Sequence, residues 1–431
     1  MNVADSSRAA SALERLGYEY SPRADDADVI VLNTCVVRQS AEDKAYGRLQ
    51  SLTPLKKKNP DLVINLMGCL VGVRGGSQRF RERFPQVDVF SPPSDFGPLL
   101  DFLTRREGKH QVEEETSLRD ALLDEELSLP TYERDRLVSG YLSVVLGCSH
   151  ACTYCVIPSR RGRERSRPPQ EILREARSLA QQGVKEITLL GQIVDRYGKD
   201  QPDYPTLSGL LHMLHGVESL ERLRFLTSHP NWMTDELLKT VADLPRVMPH
   251  IEVPVQSGDD QVLERMRRGY SAGQYRDLVA HIRACIPGVS IGTDIIVGFP
   301  GESNEQFQNT ADLLRDLRLD VVHLARYSPR PGTVAATRML DDVPDEVKWE
   351  RFRVLEEQQE GISAQIHAGS LGAVVQVLFE EQHKGRWKGR TPTNKIVFSE
   401  SEADLRGRTR QVRINWSGPW SLRGELVGQE S

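Results

Sequence analysis

The chain is 431 residues long, 39% hydrophobic and 27% charged, with a net charge of −5. That length is too great for one ordinary core, so two or three domains are expected, and the composition is that of a soluble globular protein. Asp5, Arg8, Glu14, Arg15 and Glu19 leave no apolar core for a signal peptide, and no uncharged run of about 18 apolar residues is present to cross a membrane. A cytoplasmic location is expected, with no membrane partner and with thiols kept reduced and available to metal. Lys+Arg against Asp+Glu is 19 to 23 over residues 1–139, 27 to 31 over 140–369 and 10 to 7 over 370–431, so the positive excess lies at the C-terminal end.

Residues 1–106 read as an α/β unit. A helix from about Ser7 to Leu16 precedes an apolar strand Asp28–Leu32 that ends in Asn33-Thr34-Cys35. A second helix, about Ser40 to Leu55, precedes a strand Leu62–Met67 that ends in Gly68-Cys69. Cys35 and Cys69 thus fall at carboxyl ends of strands, the edge where open parallel sheets bind ligands, although isolated cysteines are also ordinary packing residues. Residues 107–139 carry acidic clusters at Glu113–Glu115 and Asp124–Glu126 and read as a linker with one short helix.

Residues 140–368 alternate strand and helix. Strands are expected at Tyr141–Leu146, Glu186–Leu190, Arg222–Leu226, His250–Val255, Val289–Val297 and Asp320–Arg326. Pro168-Pro169 opens a helix closed by Gly183, Thr234 caps another, and Ser303 with Gln306 forms a capping box. Such repeated βα units make a partial TIM-type (βα)6 barrel with its function at the carboxyl ends of the strands.

After the first of these strands comes Gly-Cys-Ser-His-Ala-Cys-Thr-Tyr-Cys, in which Cys148, Cys152 and Cys155 stand in a C-x3-C-x2-C array. Three thiolates so close on one loop can each take one iron of a 4Fe-4S cube and leave the fourth iron open to a small molecule. Zinc is the competing reading, but it usually takes paired knuckles or histidines at fixed offsets, and only His150 lies nearby. A disulfide framework fits less well, since three clustered cysteines cannot pair evenly. Arg160, Arg161, Arg163, Arg165 and Arg167 follow directly; they suit phosphate contacts beside the chemistry, or form a solvated face. Further strand ends at Gly191-Gln192, Gln256-Ser257-Gly258 and Gly298 to Glu302 let backbone approach a ligand, though glycine is ordinary at such corners. Cys285, at a helix end, reads as a buried thiol.

Residues 369–431 are short, β-rich and basic, with Lys388 and Arg390 on one strand and Trp387, Trp416 and Trp420 interleaved. They fit a small OB-like barrel with stacking platforms for RNA, or a barrel that merely caps the catalytic domain.

The Cys148–Cys155 motif, with Tyr154 before its last cysteine, closely resembles that of the radical S-adenosylmethionine (SAM) enzymes. The whole chain, from VADS and LNTC through GCSHACTYC, RGRERSRP, PVQSG, IVGFPGE and YSPRPGT, resembles the radical SAM methylthiotransferases. RGRERSR and RFLTSHP resemble the branch that methylthiolates C2 of isopentenyladenosine beside the anticodon of tRNA; Gly191-Gln192-Ile193-Val194-Asp195 departs from the commoner GQNVN. The resemblance implies a doubly wound flavodoxin-like N-terminal domain, the barrel, and a TRAM-like C-terminal barrel. It implies a 4Fe-4S cluster on Cys148, Cys152 and Cys155 that chelates SAM and, on reduction, gives a radical able to take hydrogen from adenine C2. Tyr154, Gly191, Gln192, Gln256, Ser257 and Gly298 would line the SAM site. The five arginines, Lys388 and Arg390 would meet RNA, and no side chain acts as a catalyst itself.

The family also implies an auxiliary 4Fe-4S cluster on three N-terminal cysteines, two of them Cys35 and Cys69. Members normally open with a strand and a Gly-Cys-Gln-Met-Asn-like turn, and this chain starts at the Met-Asn, so a mis-assigned or truncated start is expected. The partners implied are tRNA and an electron donor such as flavodoxin or ferredoxin, and a monomer is expected. The alternatives are methylthiolation of threonylcarbamoyladenosine in tRNA or of a ribosomal-protein aspartate, an RNA-binding iron–sulfur protein without turnover, and a form impaired for want of the third cysteine.

Overall fold

The computed structural model describes residues 1–37, 39–73, 78–106 and 129–428, with backbone alone at 78–80. The acidic clusters and the short helix expected within the linker lie outside these residues. Two compact units are formed: Met1–Arg134 with Leu146–Ala151 and Cys155–Arg165, and Asp135–Val145 with Cys152–Tyr154 and Ser166–Ser431.

The first unit is built on three parallel strands, Val29–Thr34, Val63–Gly68 and Val89–Ser91, in that order. The middle strand is buried along its whole length, so its alternation separates two apolar faces and not core from solvent. Ile64 and Leu66 pack on Leu49 and Leu52 of the helix Gln39–Lys58. On the other face Met67 packs on Ala9 and Ala12 of the helix Asn2–Arg15 and on Leu100 of the helix Gly97–Arg106. Helices on both faces make this a doubly wound sheet. The first helix starts at Asn2, well before Ser7, and the three-residue strand Val89–Ser91 is too short to announce itself by periodicity.

The second unit contains the six expected parallel strands, Ser139–Ser143, Glu186–Leu190 and Arg222–Phe225 in one sheet and His250–Glu252, Ser290–Val297 and Val321–Arg326 in another. The sheets are continuous through Leu223, whose N–H donates to Arg246 O at 2.6 Å and whose carbonyl accepts from Met248 N at 2.8 Å. Strands in sequence order, joined by helices, close half a barrel. Thr234 caps Asp235–Asp243 through its side chain, and Ser303 with Gln306 forms both bonds of a capping box on Asn304–Leu317. Ile291, Ile295 and Val297 are buried on the helix side, while a Cβ on Gly292 would collide with the Glu252 carboxylate, which therefore occupies the barrel interior.

The C-terminal strands Val374–His383, Arg386–Arg390, Ile396–Ser399, Leu422–Leu426 and Thr409–Ser417 form a closed barrel around Val377, Phe379, Val397, Val412, Ile414 and Leu422. It packs against the amino-terminal ends of the half-barrel strands. Arg222 donates to Arg390 O at 2.7 Å, and Arg224, ion-paired to Glu186, donates to Thr391 O and Pro392 O at 2.8 Å each. Asn394 lies 3.3 Å from His250 Nε2, and Lys395 pairs with Asp320 at 3.2 Å. The small barrel therefore caps the half barrel at the end opposite to the one where the three-cysteine motif emerges.

Candidate cluster and cofactor site

In the first unit, Gly147 (φ 69°) opens the cysteine loop, and any side chain there would run into the Arg163 carbonyl, so the turn demands glycine. Cys148 is buried; its N–H donates to Gly162 O at 3.1 Å and its sulfur accepts the His150 N–H at 3.4 Å. Cys155 is half-buried just before the helix Ile157–Arg161.

In the second unit, Cys152 is half-buried and its sulfur accepts from Arg268 Nη1 at 3.3 Å. Thr153 fixes this segment by donating from its backbone to Met266 O (3.2 Å) and from its hydroxyl to Arg265 O (2.8 Å). Tyr154 packs edge-on to Phe299, ring centroids 6.4 Å apart, in an apolar cluster with Val262, Met266 and Tyr327. The Tyr327 hydroxyl is buried there without a hydrogen-bond partner.

The other expected SAM-site residues sit at carboxyl strand ends and carry structural duties as well. A Cβ on Gly191 would meet Val145 Cβ at 3.0 Å, and the Gly191 carbonyl accepts from Thr227 Oγ1 at 2.8 Å. Gln192 beside it is half-buried. Gln256 takes a left-handed φ of 75° while its backbone bonds Asp294 O (2.9 Å) and Ile296 N (3.0 Å). Ser257 is buried with its oxygen 3.3 Å from Thr310 Oγ1. Gly298 (φ 69°) donates to Glu302 at 2.7 Å, and a side chain on it would collide with Lys348. Asp195, where the sequence leaves GQNVN, accepts the His229 N–H at 3.0 Å.

Cys35 and Cys69 each stand one residue beyond the register pair Thr34 and Gly68, with Cys69 N donating to Thr34 O at 3.1 Å. Arg161 donates from Nε to Cys69 Sγ at 3.2 Å and from Nη2 to Asn2 at 2.7 Å. Burial pushes the Cys69 thiol up, and the Arg161 charge and hydrogen bond offset part of that rise.

The arginine run is thereby divided. Arg161 is turned to Cys69, and Arg167 is ion-paired to Glu175 at 2.7 Å and donates to Ser143 O, so neither presents a free guanidinium to phosphate. Arg160 is half-buried with its carbonyl accepting from Val73 N, while Arg163 and Arg165 are exposed. On the small barrel, Lys388 pairs with Glu381 at 2.8 Å and Arg390 with Glu380 at 3.3 Å. Trp387 is 4% exposed and belongs to the barrel core, contrary to its expected role as a stacking platform. Trp416 (41% exposed) and Trp420 (59%) are outward, and the Arg423 guanidinium lies 4.3 Å from the Trp416 ring centroid. Cys285 is half-buried, not buried, with its sulfur 3.7 Å from His281 Nε2.

Among the described residues no three Cys, His, Asp or Glu side chains stand together as a ready metal site. The donor chemistry nonetheless fits an iron–sulfur cluster: three soft ligands on one short loop, a backbone N–H on one sulfur, and the buried Arg268 guanidinium on another. The Arg268 contact joins residues 116 apart and has no sequence motif that announces it. The Arg-Arg-Gly-Tyr turn around it is the only local signal.

A six-stranded parallel half barrel with a three-cysteine loop after its first strand is the radical SAM architecture. The Radical SAM superfamily matches residues 142–314, the uncharacterized protein family UPF0004 matches 1–91 and the TRAM domain matches 370–427. Among solved structures, the fold is similar to that of the radical SAM methyltransferase TsrM of Kitasatospora setae, at 14% identity and a TM-score of 0.56 over 89% of this chain and 77% of that one. The tRNA-2-methylthio-N(6)-dimethylallyladenosine synthase of Roseiflexus sp. is 48% identical over 99% of this chain and 87% of its own length. Those of Chloroflexus aurantiacus and Dehalococcoides mccartyi are 47% and 42% identical over 98% and 99% of this chain, covering 89% and 96% of their own lengths. The chain belongs to the tRNA-2-methylthio-N(6)-dimethylallyladenosine synthase family.

Proposed function

We propose that this protein adds a methylthio group to C2 of an N6-isopentenyl-modified adenosine beside the anticodon of tRNA. The observation that carries this reading is the full-length likeness to synthases of that name, with the three-cysteine loop intact. Cys148, Cys152 and Cys155 would hold a 4Fe-4S cluster, which would supply one-electron cleavage of SAM, and Cys35 and Cys69 would contribute to an auxiliary cluster, which would supply the sulfur.

The chain's own residues hold, orient and exclude water. Thr153 and Arg268 fix the loop at Cys152, and the Tyr154–Phe299–Tyr327 cluster offers an apolar wall with one buried hydroxyl suited to an adenine. Arg161 holds Cys69. Arg163 and Arg165 near the cysteine loop in sequence, and Arg413, Arg423, Trp416 and Trp420 on the small barrel, are exposed groups of the kind that bind phosphate and stack on bases.

The deciding experiment is mass spectrometry of tRNA nucleosides from cells with and without this gene. Loss of the 2-methylthio form with accumulation of its isopentenyladenosine precursor is expected. An unchanged nucleoside profile overturns the reading.

A further inference from the structure

Arg268 is 5% exposed, and its hydrogen bonds go to the Tyr270 hydroxyl (2.8 Å from Nε), the Pro254 carbonyl (3.0 Å from Nη2) and Cys152 Sγ (3.3 Å from Nη1). The Tyr270 hydroxyl itself lies within hydrogen-bond distance of the Pro254 and Val255 carbonyls, which locks the far side of the guanidinium. Its neighbours Arg267 (φ 56°) and Gly269 (φ 74°) are both left-handed, so the turn that aims Arg268 inward is held against the preference of a non-glycine residue. An arginine does not give up its proton, and a buried cation without a counter-charge is costly. Of these three hydrogen-bond partners, the Cys152 sulfur is the one that becomes anionic when it carries iron.

Resting on the reading of Cys152 as a ligand of the SAM-binding cluster, we propose that Arg268 is a positioning residue that sets that cluster's redox potential. Its fixed positive charge and its hydrogen bond to the Cys152 sulfur favour the reduced state of the cluster. The step it assists is the entry of one electron from a one-electron donor such as a flavodoxin. No atom moves in that step, and Arg268 keeps all its protons.

The test uses the reconstituted full chain with Cys35→Ala and Cys69→Ala, so that one cluster reports, and compares Arg268 with Arg268→Gln and Arg268→Lys. EPR-monitored titration with dithionite and mediators, without SAM or tRNA, gives the midpoint potential. Arg268→Gln is expected to lower the reduced-to-oxidised ratio at a fixed potential at least tenfold, which is 59 mV for one electron. Arg268→Lys is expected to recover most of that shift. Equal potentials in all three proteins, equal shifts in the two variants, or an unchanged potential with weakened SAM binding overturns the proposal. If Arg268→Gln does not retain iron, melting of the iron-free proteins decides. A variant that melts at or above the Arg268 protein supports a charge kept for the cluster, and one that melts below it makes Arg268 a structural prop. None of these readouts needs tRNA turnover, so their failure is separate from failure of the proposed function.

Discussion

Arg161 Nε donates to Cys69 Sγ at 3.2 Å, which ties the residue six places after the last cysteine of the central motif to the second strand end of the N-terminal sheet. A positively charged donor on a thiol favours its thiolate and the metal-bound form of its sulfur. Arg161 also engages Asn2 and Ser94, and Ser94 donates to the buried Asp5, whose carboxyl burial raises and Arg161 draws back down. This residue is thus committed to the protein interior.

If Cys35 and Cys69 hold iron as proposed, Arg161→Met should lower iron retention there and tRNA methylthiolation by roughly tenfold or more, the usual effect of removing a group that supports a metal ligand. Affinity for tRNA and its salt dependence should not change. A drop of about one in the slope of log affinity against log salt would return Arg161 to a phosphate contact.

The exposed Arg163 and Arg165 should behave in the opposite way. Each change to glutamine should weaken tRNA binding and flatten its salt slope by about one, because one phosphate contact and its counterion release are lost. Arg167→Gln should leave the slope alone and destabilise the fold by about 3 kcal/mol, since it strands Glu175, whose side chain is 7% exposed. Filter binding over a salt series and urea unfolding separate the two outcomes.

Deleting residues 369–431 removes the carbonyls that satisfy Arg222 and Arg224. Arg224 keeps Glu186, but both guanidinium groups lose their carbonyl partners and the surface the barrel covers is opened to water, at a cost of about 1 kcal/mol or more for each lost hydrogen bond to a charged group. The truncated protein should be unstable and cleave SAM poorly even with dithionite. Trp416→Ala with Arg423→Ala, both on the outward face, should keep SAM cleavage and stability and weaken tRNA binding. Full SAM cleavage by the truncated protein would show that the capping contacts are dispensable.

Glu252 lies 3.1 Å from His250 and 3.6 Å from His323. Burial works to raise its pKa, but the His250 hydrogen bond and the nearby His323 imidazole outweigh it and hold the carboxyl at about 2, against 4.5 for a free glutamate. A carboxyl depressed in the fold adds stability that is fully present above about pH 4.5 and lost as the pH falls toward about 2, up to about 3 kcal/mol. Glu252→Gln should therefore show a shallower loss of unfolding free energy across that window. Parallel acid limbs for the two proteins would contradict this.

Glu186–Leu190 and Ser290–Val297 were legible as strands closed by Gly191 and Gly298, and Thr234 and Ser303 cap through atoms only three residues away. The three-cysteine motif was legible because its residues lie within eight positions of one another. What sequence left out is set by contacts between distant segments. Arg268 and Cys152 are far apart in the chain, and nothing in the Arg160–Arg167 run tells which guanidinium will find Glu175 and which the solvent. Trp387 turned inward because the pairing of its strand, with a register shift between Phe379 and Glu381, decides which face points to the core.

The grip of Arg222 and Arg224 on the small barrel closes entirely on main-chain oxygens, those of Arg390, Thr391 and Pro392. A lock keyed to backbone shape does not read side chains. Thr391 and Pro392 are therefore free to drift in sequence so long as their path is kept, and a TRAM barrel transplanted from a distant relative should seat on this half barrel if that turn has the same length and course and keeps partners for His250 and Asp320 at the places of Asn394 and Lys395.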